Sequence, residues 1–204
     1  MIRTALKTLF RPEDMVELRG WDKQGATWTA RYQYGRALLR MIEFMDGKLK
    51  LDCYYVLNPT NLPARDLAIG GVSTWEDNIP LRRWFLLDCD PKRPNKIATE
   101  DEYKLALDAA GEAKQWLEYC GYADIVMATS GNGVHLLTPI DLPNTPDSKR
   151  MIRHVQRAVS NQFSNPNVVI ECFPDANRLV RAYGTLNRKG SESETMKYRR
   201  SSIL

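Results

Sequence analysis

The segment Arg83-Trp84-Phe85-Leu86-Leu87-Asp88-Cys89-Asp90-Pro91 constrains this chain more than any other. Four consecutive apolar residues leave no polar position for a solvated face, so the run predicts a central strand over Arg83 to Asp90, covered on both sides. Proline cannot donate to a sheet ladder, which places Pro91 at the strand's end, beside two carboxylates.

The rest of the chain supplies strands and helices to build around it. Met15 to Trp21, Thr27 to Tyr34 and Lys48 to Leu57 read as strands, and Gly35 to Met45 as an amphipathic helix with Leu38, Leu39, Ile42 and Met45 on its apolar side. Pro59 to Pro80, with Pro63, Gly70 and Gly71, reads as an irregular connection. Thr99-Glu100-Asp101-Glu102 is a capping box that opens a helix running to about Cys120 and stopped by Gly121. Ile125 to Ala128 and Val134 to Pro139 flank a hairpin turn, Thr129-Ser130-Gly131-Asn132-Gly133. Pro146 opens another helix, carried by Met151, Ile152, Val155, Val159 and Phe163, before a strand at Val168-Val169-Ile170. Strands and helices alternate without strict β-α-β regularity, which predicts an α+β fold with a mixed or antiparallel sheet.

At 204 residues, 43% hydrophobic and 26% charged, the chain can bury a core without staples. No apolar run reaches the roughly 18 residues that span a bilayer, and Met1-Ile2-Arg3-Thr4 does not open a secretory signal, so no membrane partner is expected. Cys53, Cys89, Cys120 and Cys172 stand singly, with only His135 and His154 beside them as soft ligands. That argues against a structural zinc module and for buried thiols in a reducing, cytoplasmic setting. The net charge of +4 suits a polyanion. From Asp175 onward Arg178, Arg181, Arg188, Lys189, Lys197, Arg199 and Arg200 outnumber Asp175, Glu192 and Glu194, which makes either a basic interface or a solvated charged surface.

Side chains alternate along a strand, so Asp88 and Asp90 share a face with Cα atoms roughly 6 to 7 Å apart. Two carboxylates at that spacing can share a hard divalent cation; the alternative is a pair of turn-forming acids at an exposed strand end. Without a cation, repulsion raises at least one of their pKa values. Ser130-Gly131-Asn132-Gly133-Val134-His135 offers glycines that let backbone N–H groups approach a phosphate and a histidine that can donate to it, or else a tight hairpin with a satisfied histidine. Glu171 follows an apolar strand and Asp175 a short turn later, and either supplies a third carboxylate. Arg178, Arg188 and Lys189 can pair with phosphates or with water. His154 reads as a surface residue.

Taken in order, these features resemble the catalytic domain of the archaeo-eukaryotic primase superfamily, in particular the primase-polymerases of plasmids and phages. Leu86-Leu87-Asp88-Cys89-Asp90 matches its acidic strand, and Gly133-Val134-His135 its small-x-His motif. Glu171 matches its third acid, where the family usually carries Asp. Asn177-Arg178-Leu179 through Tyr183-Gly184-Thr185 to Arg188-Lys189-Gly190 is similar to its closing segment, with a turn before Arg178 shorter by about a residue. Tyr54-Tyr55-Val56-Leu57-Asn58-Pro59 resembles its N-terminal lobe.

The resemblance implies a two-lobed core, with an N-terminal lobe over about 1–80 and an RRM-like catalytic lobe over about 81–204. It implies a nucleotidyltransferase that makes or extends primers on a single-stranded DNA template, releasing pyrophosphate. Asp88, Asp90 and Glu171, with Asp175 as the alternative third acid, would hold two divalent ions, Mg²⁺ or Mn²⁺, roughly 3.5 to 4 Å apart. Ser130, Gly131, Gly133, His135, Arg178 and Lys189 would bind the nucleoside triphosphate, and Arg181 and Arg188 the nucleic acid. A helicase or C-terminal accessory module outside this chain is the further partner the family implies, so the chain reads as a core cut from a longer protein or a stand-alone relative.

Two other function classes are set against this. A single-stranded nucleic-acid binding module would keep the basic groove and use Trp21, Trp28, Tyr32 or Tyr34 as stacking platforms, with idle acids. A rolling-circle nicking nuclease would need paired histidines, which two distant histidines do not supply.

Overall fold

A computed structural model describes residues 1–71, 73–93, 97–194 and 196–204. In chain order the elements are α1 (Ile2–Leu9), β1 (Met15–Trp21), β2 (Thr27–Gln33), α2 (Arg36–Gly47), β3 (Asp52–Val56), β4 (Arg65–Ile69), a 3₁₀ turn (Glu76–Asn78) and β5 (Leu81–Pro91). They continue with α3 (Glu100–Tyr119), β6 (Val126–Thr129), β7 (Val134–Pro143), α4 (Pro146–Phe163), β8 (Val168–Phe173), β9 (Leu179–Arg181) and β10 (Ser202–Ile203).

The strands form two five-stranded sheets, ordered β4-β2-β1-β3-β9 and β10-β6-β7-β5-β8. Every pairing is antiparallel, which makes this an α+β fold with antiparallel sheets. The strand that opened the sequence argument is β5, held between β7 and β8. Phe85, Leu87 and Cys89 pack with Ala106, Ala110, Ala113 and Leu117 of α3 and Ile152 and Val159 of α4. On the opposite face, Leu86 joins a core shared with Leu18, Tyr55 and Leu38 of the first sheet and α2. Both faces are covered, as a continuous apolar run requires.

Local signals account for the helix ends. Thr99 accepts from the Glu102 N–H while Glu102 returns a bond to the Thr99 N–H, and Gly121, at φ +94°, takes the left-handed turn beyond α3. Thr145 caps α4 ahead of Pro146.

Several expectations need correction. The irregular connection from Pro59 to Pro80 contains the edge strand β4 and the 3₁₀ turn. It is fastened by Glu17, fully buried in β1, whose carboxylate accepts from the Thr74 N–H and hydroxyl and pairs with Arg19 and Arg31. The lobe boundary near residue 80 is crossed by β9, which pairs with β3 and completes the first sheet. Cys53 and Cys89 are buried as expected, Cys53 with its thiol pushed up to about 12 by burial, whereas Cys120 is exposed and Cys172 half-buried. Among the described residues no helix is long and apolar enough to cross a membrane.

Candidate active site

Along one face of β5 the residues run Trp84, Leu86, Asp88, Asp90, so the apolar core gives way to acid where the strand reaches the rim. Asp88 stands opposite His135 of β7 on one side and Glu171 of β8 on the other. Registered neighbours in a sheet point the same way, so the pairing sets Glu171, Asp88 and His135 in one row across three strands. Glu171 lies 83 positions from Asp88 and 36 from His135, and ladder register alone brings the three together.

A cleft of about 980 Å³ opens at this end of the molecule, lined by Trp21, Asp52, Asp90, Glu171, Arg188 and Lys189 among others. It adjoins a smaller pocket of about 80 Å³ that contains Asp88, Asp90, Ser130, His135, Arg178 and Lys189. Asp90, Arg93 and Lys189 line both.

The acids differ in character. Burial pushes the Asp88 carboxyl up, but the charges of His135, Arg178 and Lys189 pull it below the ordinary carboxylate range. Asp90 and Glu171 are raised, each by burial first and then by the charge of its acidic neighbours. Buried Asp88 Oδ1 lies 3.3 Å from His135 Nε2 yet accepts no hydrogen bond. An orphaned buried carboxylate oxygen next to two carboxyls that resist ionisation is a donor set suited to a hard cation. Among the described residues no three His, Cys, Asp or Glu side chains converge on one point. The geometry is therefore a carboxylate-rich cleft, in which Asp88, Asp90 and Glu171 are the groups that could take up divalent ions.

Asp175, the alternative third acid, points elsewhere. It pairs with Lys149 at 2.6 Å, beside Glu76, and of the two candidates Glu171 is the one registered to Asp88.

The glycine-rich turn does not present its backbone to a ligand as expected. Its N–H groups are spent internally: Gly131 donates to Thr129 Oγ1, Asn132 and Gly133 to Ser130 Oγ, and Ser130 to the Gly133 carbonyl. The glycines serve close packing instead. Gly131, at φ +98°, lies against Asn187 and the Arg199 carbonyl, and a Cβ on Gly133 would fall 2.2 Å from Asp90 Oδ1. Asn187, which the sequence reading missed, holds the turn in place by donating to the Ser130 carbonyl at 2.8 Å.

The cations divide into two groups. Arg178 lies in the inner pocket with its guanidinium 3.2 Å from the Phe173 ring centroid, and exposed Lys189 sits at the mouth. Arg181 and Arg188, expected to bind nucleic acid, are both tied to carboxylates, Arg181 buried and Arg188 partly buried at the edge of the cleft. Arg181 is 2% exposed, paired with Asp52 at 2.7 Å and stacked on Tyr54, while Arg188 pairs with Asp46 at 2.6 Å and donates to the Leu51 carbonyl. Their carboxylate partners leave little charge for a phosphate, because a buried pair is already neutralised. Arg93, also missed, brings Nη1 within 3.4 Å of Asp90 Oδ1. Of the four candidate stacking aromatics, Trp28, Tyr32 and Tyr34 pack against the core, and Trp21 lines the cleft. His154 is exposed on α4.

No family model and no curated protein matches the sequence. Among solved structures the chain is similar to the polymerase domain of ligase D from Mycobacterium tuberculosis in complex with DNA. The TM-score is 0.55 at 13% identity, over 91% of this chain and 74% of that one. The likeness shows a shared fold. Fold alone does not carry activity across, so the chemistry has to be argued from the row of side chains at the cleft.

Proposed function

We propose that this chain is a nucleotidyltransferase of primase-polymerase type, which extends or initiates strands on a single-stranded DNA template from nucleoside triphosphates. The observation that carries the reading is the row Glu171, Asp88, His135, with Asp90 one pleat further along β5, at the junction of a small pocket and a long open cleft. A pocket holding acids, a histidine and Arg178 suits a metal-bound triphosphate, and a cleft of about 980 Å³ suits a polynucleotide.

Asp88, Asp90 and Glu171 would hold the divalent ions, Mg²⁺ or Mn²⁺. When bound, such ions neutralise the triphosphate and lower the pKa of an attacking 3′-hydroxyl. His135 donates from Nε2 to a phosphate oxygen. Arg178, held flat on Phe173, offers its planar fork to the same polyphosphate, and Lys189 adds a mobile point charge at the mouth. These groups favour the pentavalent α-phosphate, where negative charge builds up as pyrophosphate departs.

The test is synthesis on single-stranded DNA with Mg²⁺ or Mn²⁺ and labelled nucleotides, with and without a primer, comparing wild type with Asp88→Asn/Asp90→Asn. Product that vanishes in the variant while folding and DNA binding persist supports the reading, and the unprimed lane separates initiation from extension. Wild type that binds single-stranded DNA but makes no product in either lane refutes it in favour of a binding module.

A further inference from the structure

His135 is one of two histidines in the chain, 5% exposed, and each of its ring nitrogens faces a different partner. Nδ1 lies 2.7 Å from the Tyr183 hydroxyl and Nε2 3.3 Å from Asp88 Oδ1, the two contacts on opposite edges of the ring. Tyr183 is itself 1% exposed, wedged edge-on against His135 at 5.7 Å between ring centroids and against Tyr55 at 6.1 Å. Its position follows from β9, whose pairing with β3 delivers Ala182 and Tyr183 beneath the second sheet.

The two contacts together select one form of the imidazole. A bare ring nitrogen 3.3 Å from the Asp88 carboxylate oxygen would set lone pair against lone pair, so the nitrogen facing Asp88 carries the proton. The neutral ring then has a bare Nδ1, and the phenol, a donor as well as an acceptor, supplies the hydrogen that Nδ1 needs. Burial raises the Tyr183 phenol well above its ordinary range, so the hydroxyl keeps its proton. We propose that Tyr183 is a positioning residue that holds His135 in the Nε2–H form, with the N–H directed at the acidic pocket as a donor for a polyphosphate. The second half of this statement rests on the nucleotidyltransferase reading; the first half does not.

The consequence is a donor prepared before the ligand arrives. Without Tyr183 the ring can rotate or exchange tautomers, and its donor is then poorly placed for part of the time. Losing one preset hydrogen bond of ordinary strength weakens triphosphate binding by about three- to tenfold.

Nitrogen-15 NMR of the imidazole rings in the full chain reads the form directly. With two histidines, exposed His154 serves as the internal reference. At about pH 8, above the ordinary histidine range, wild-type His135 should show a protonated Nε2 and a hydrogen-bonded, unprotonated Nδ1. In Tyr183→Phe the Nδ1 resonance should move while His154 stays put, and triphosphate affinity should fall about three- to tenfold. Tyr55→Phe, which removes a hydroxyl from the same ring cluster, is the packing control and should leave His135 unchanged. His135→Gln, whose amide reaches the Nε2 position, should retain more binding than His135→Asn. A protonated Nδ1 in wild type, or an Nδ1 resonance indifferent to Tyr183→Phe, overturns the proposal. So does a shifted resonance with unaltered triphosphate affinity. A wild type that shows the Nε2–H form but binds no triphosphate overturns the nucleotidyltransferase reading and the role assigned to the donor, while upholding the tautomer.

Discussion

Replacing Gly133 by alanine should disable the site far more than it destabilises the fold. An alanine Cβ there would sit 2.2 Å from Asp90 Oδ1 and 2.7 Å from the Cys89 carbonyl oxygen, where Cβ atoms do not approach closer than 3.0 Å. The carboxylate must therefore retreat by about 0.8 Å, and the backbone of β5 by about 0.3 Å. Turning Asp90 aside is cheap for the fold, whereas moving a paired central strand is not, and overpacking of this kind costs about 1–3 kcal/mol. Activity responds more steeply, because misplacing a reacting group by about 1 Å costs on the order of a hundredfold. Urea unfolding followed by fluorescence measures the first quantity and primer extension at saturating nucleotide the second. Gly111→Ala is the control: its Cβ meets nothing within 4 Å inside α3, so it should stabilise by about 0.5–1 kcal/mol with full activity. Gly133→Ala with extension within about threefold of wild type would refute the claim that Asp90 must occupy this position.

Three further outcomes follow from the structure. Glu171→Gln should reduce extension by on the order of a hundredfold or more, as for other groups that stabilise charge in the transition state, whereas Asp175→Asn should stay within a fewfold of wild type; comparable losses would mean the third acid was misassigned. Arg181→Met, by stranding Asp52, should cost about 3 kcal/mol or more in denaturant unfolding with single-stranded DNA affinity of the folded protein unchanged. Wild-type stability with weakened DNA binding would return Arg181 to the interface. Glu76 is pushed up by burial, but bonds from Lys149, the Ala176 N–H and Arg82 outweigh this and hold its carboxyl below 4.5. A depressed folded value means stabilisation present above the unfolded value and lost as the pH falls through the folded one. The stability gap between wild type and Glu76→Gln, measured by denaturant titration, should therefore shrink as the pH drops from about 6 to about 3. A gap independent of pH would show that the ionised carboxylate is not what matters.

The parts of this protein that can be read from sequence are those set by local chemistry. The apolar run ending in Asp88-Cys89-Asp90 announced a central strand, because so short a run stopped by Pro91 suits a strand covered on both faces better than a buried helix. Thr99 to Glu102 announced a helix start because a hydroxyl and a carboxylate three residues apart satisfy each other's backbone N–H groups. The short strands β4, β9 and β10 carry too few residues for a periodic pattern, and edge strands take their stability from a neighbour rather than from their own composition; α1 does carry one, with Ile2, Ala5, Leu6 and Leu9 at helical spacing, and is legible, though the sequence reading missed it.

At the site, sequence order brought Asp88, Asp90, His135 and Glu171 to notice, but a lone carboxylate looks the same in a list whether it faces a cleft or a lysine. Ladder register sets Glu171 opposite Asp88, while Asp175 faces Lys149. Carboxylates pair with Arg181 and Arg188, hydroxyls close the backbone of the Gly131 turn, and the crossing of β9 sets Tyr183 behind His135. Residue type and spacing determine which chemistry a chain can carry. Which of those groups meet, and which are spent on one another, is decided by contacts between residues far apart in sequence, and these exist only once the sheets have paired.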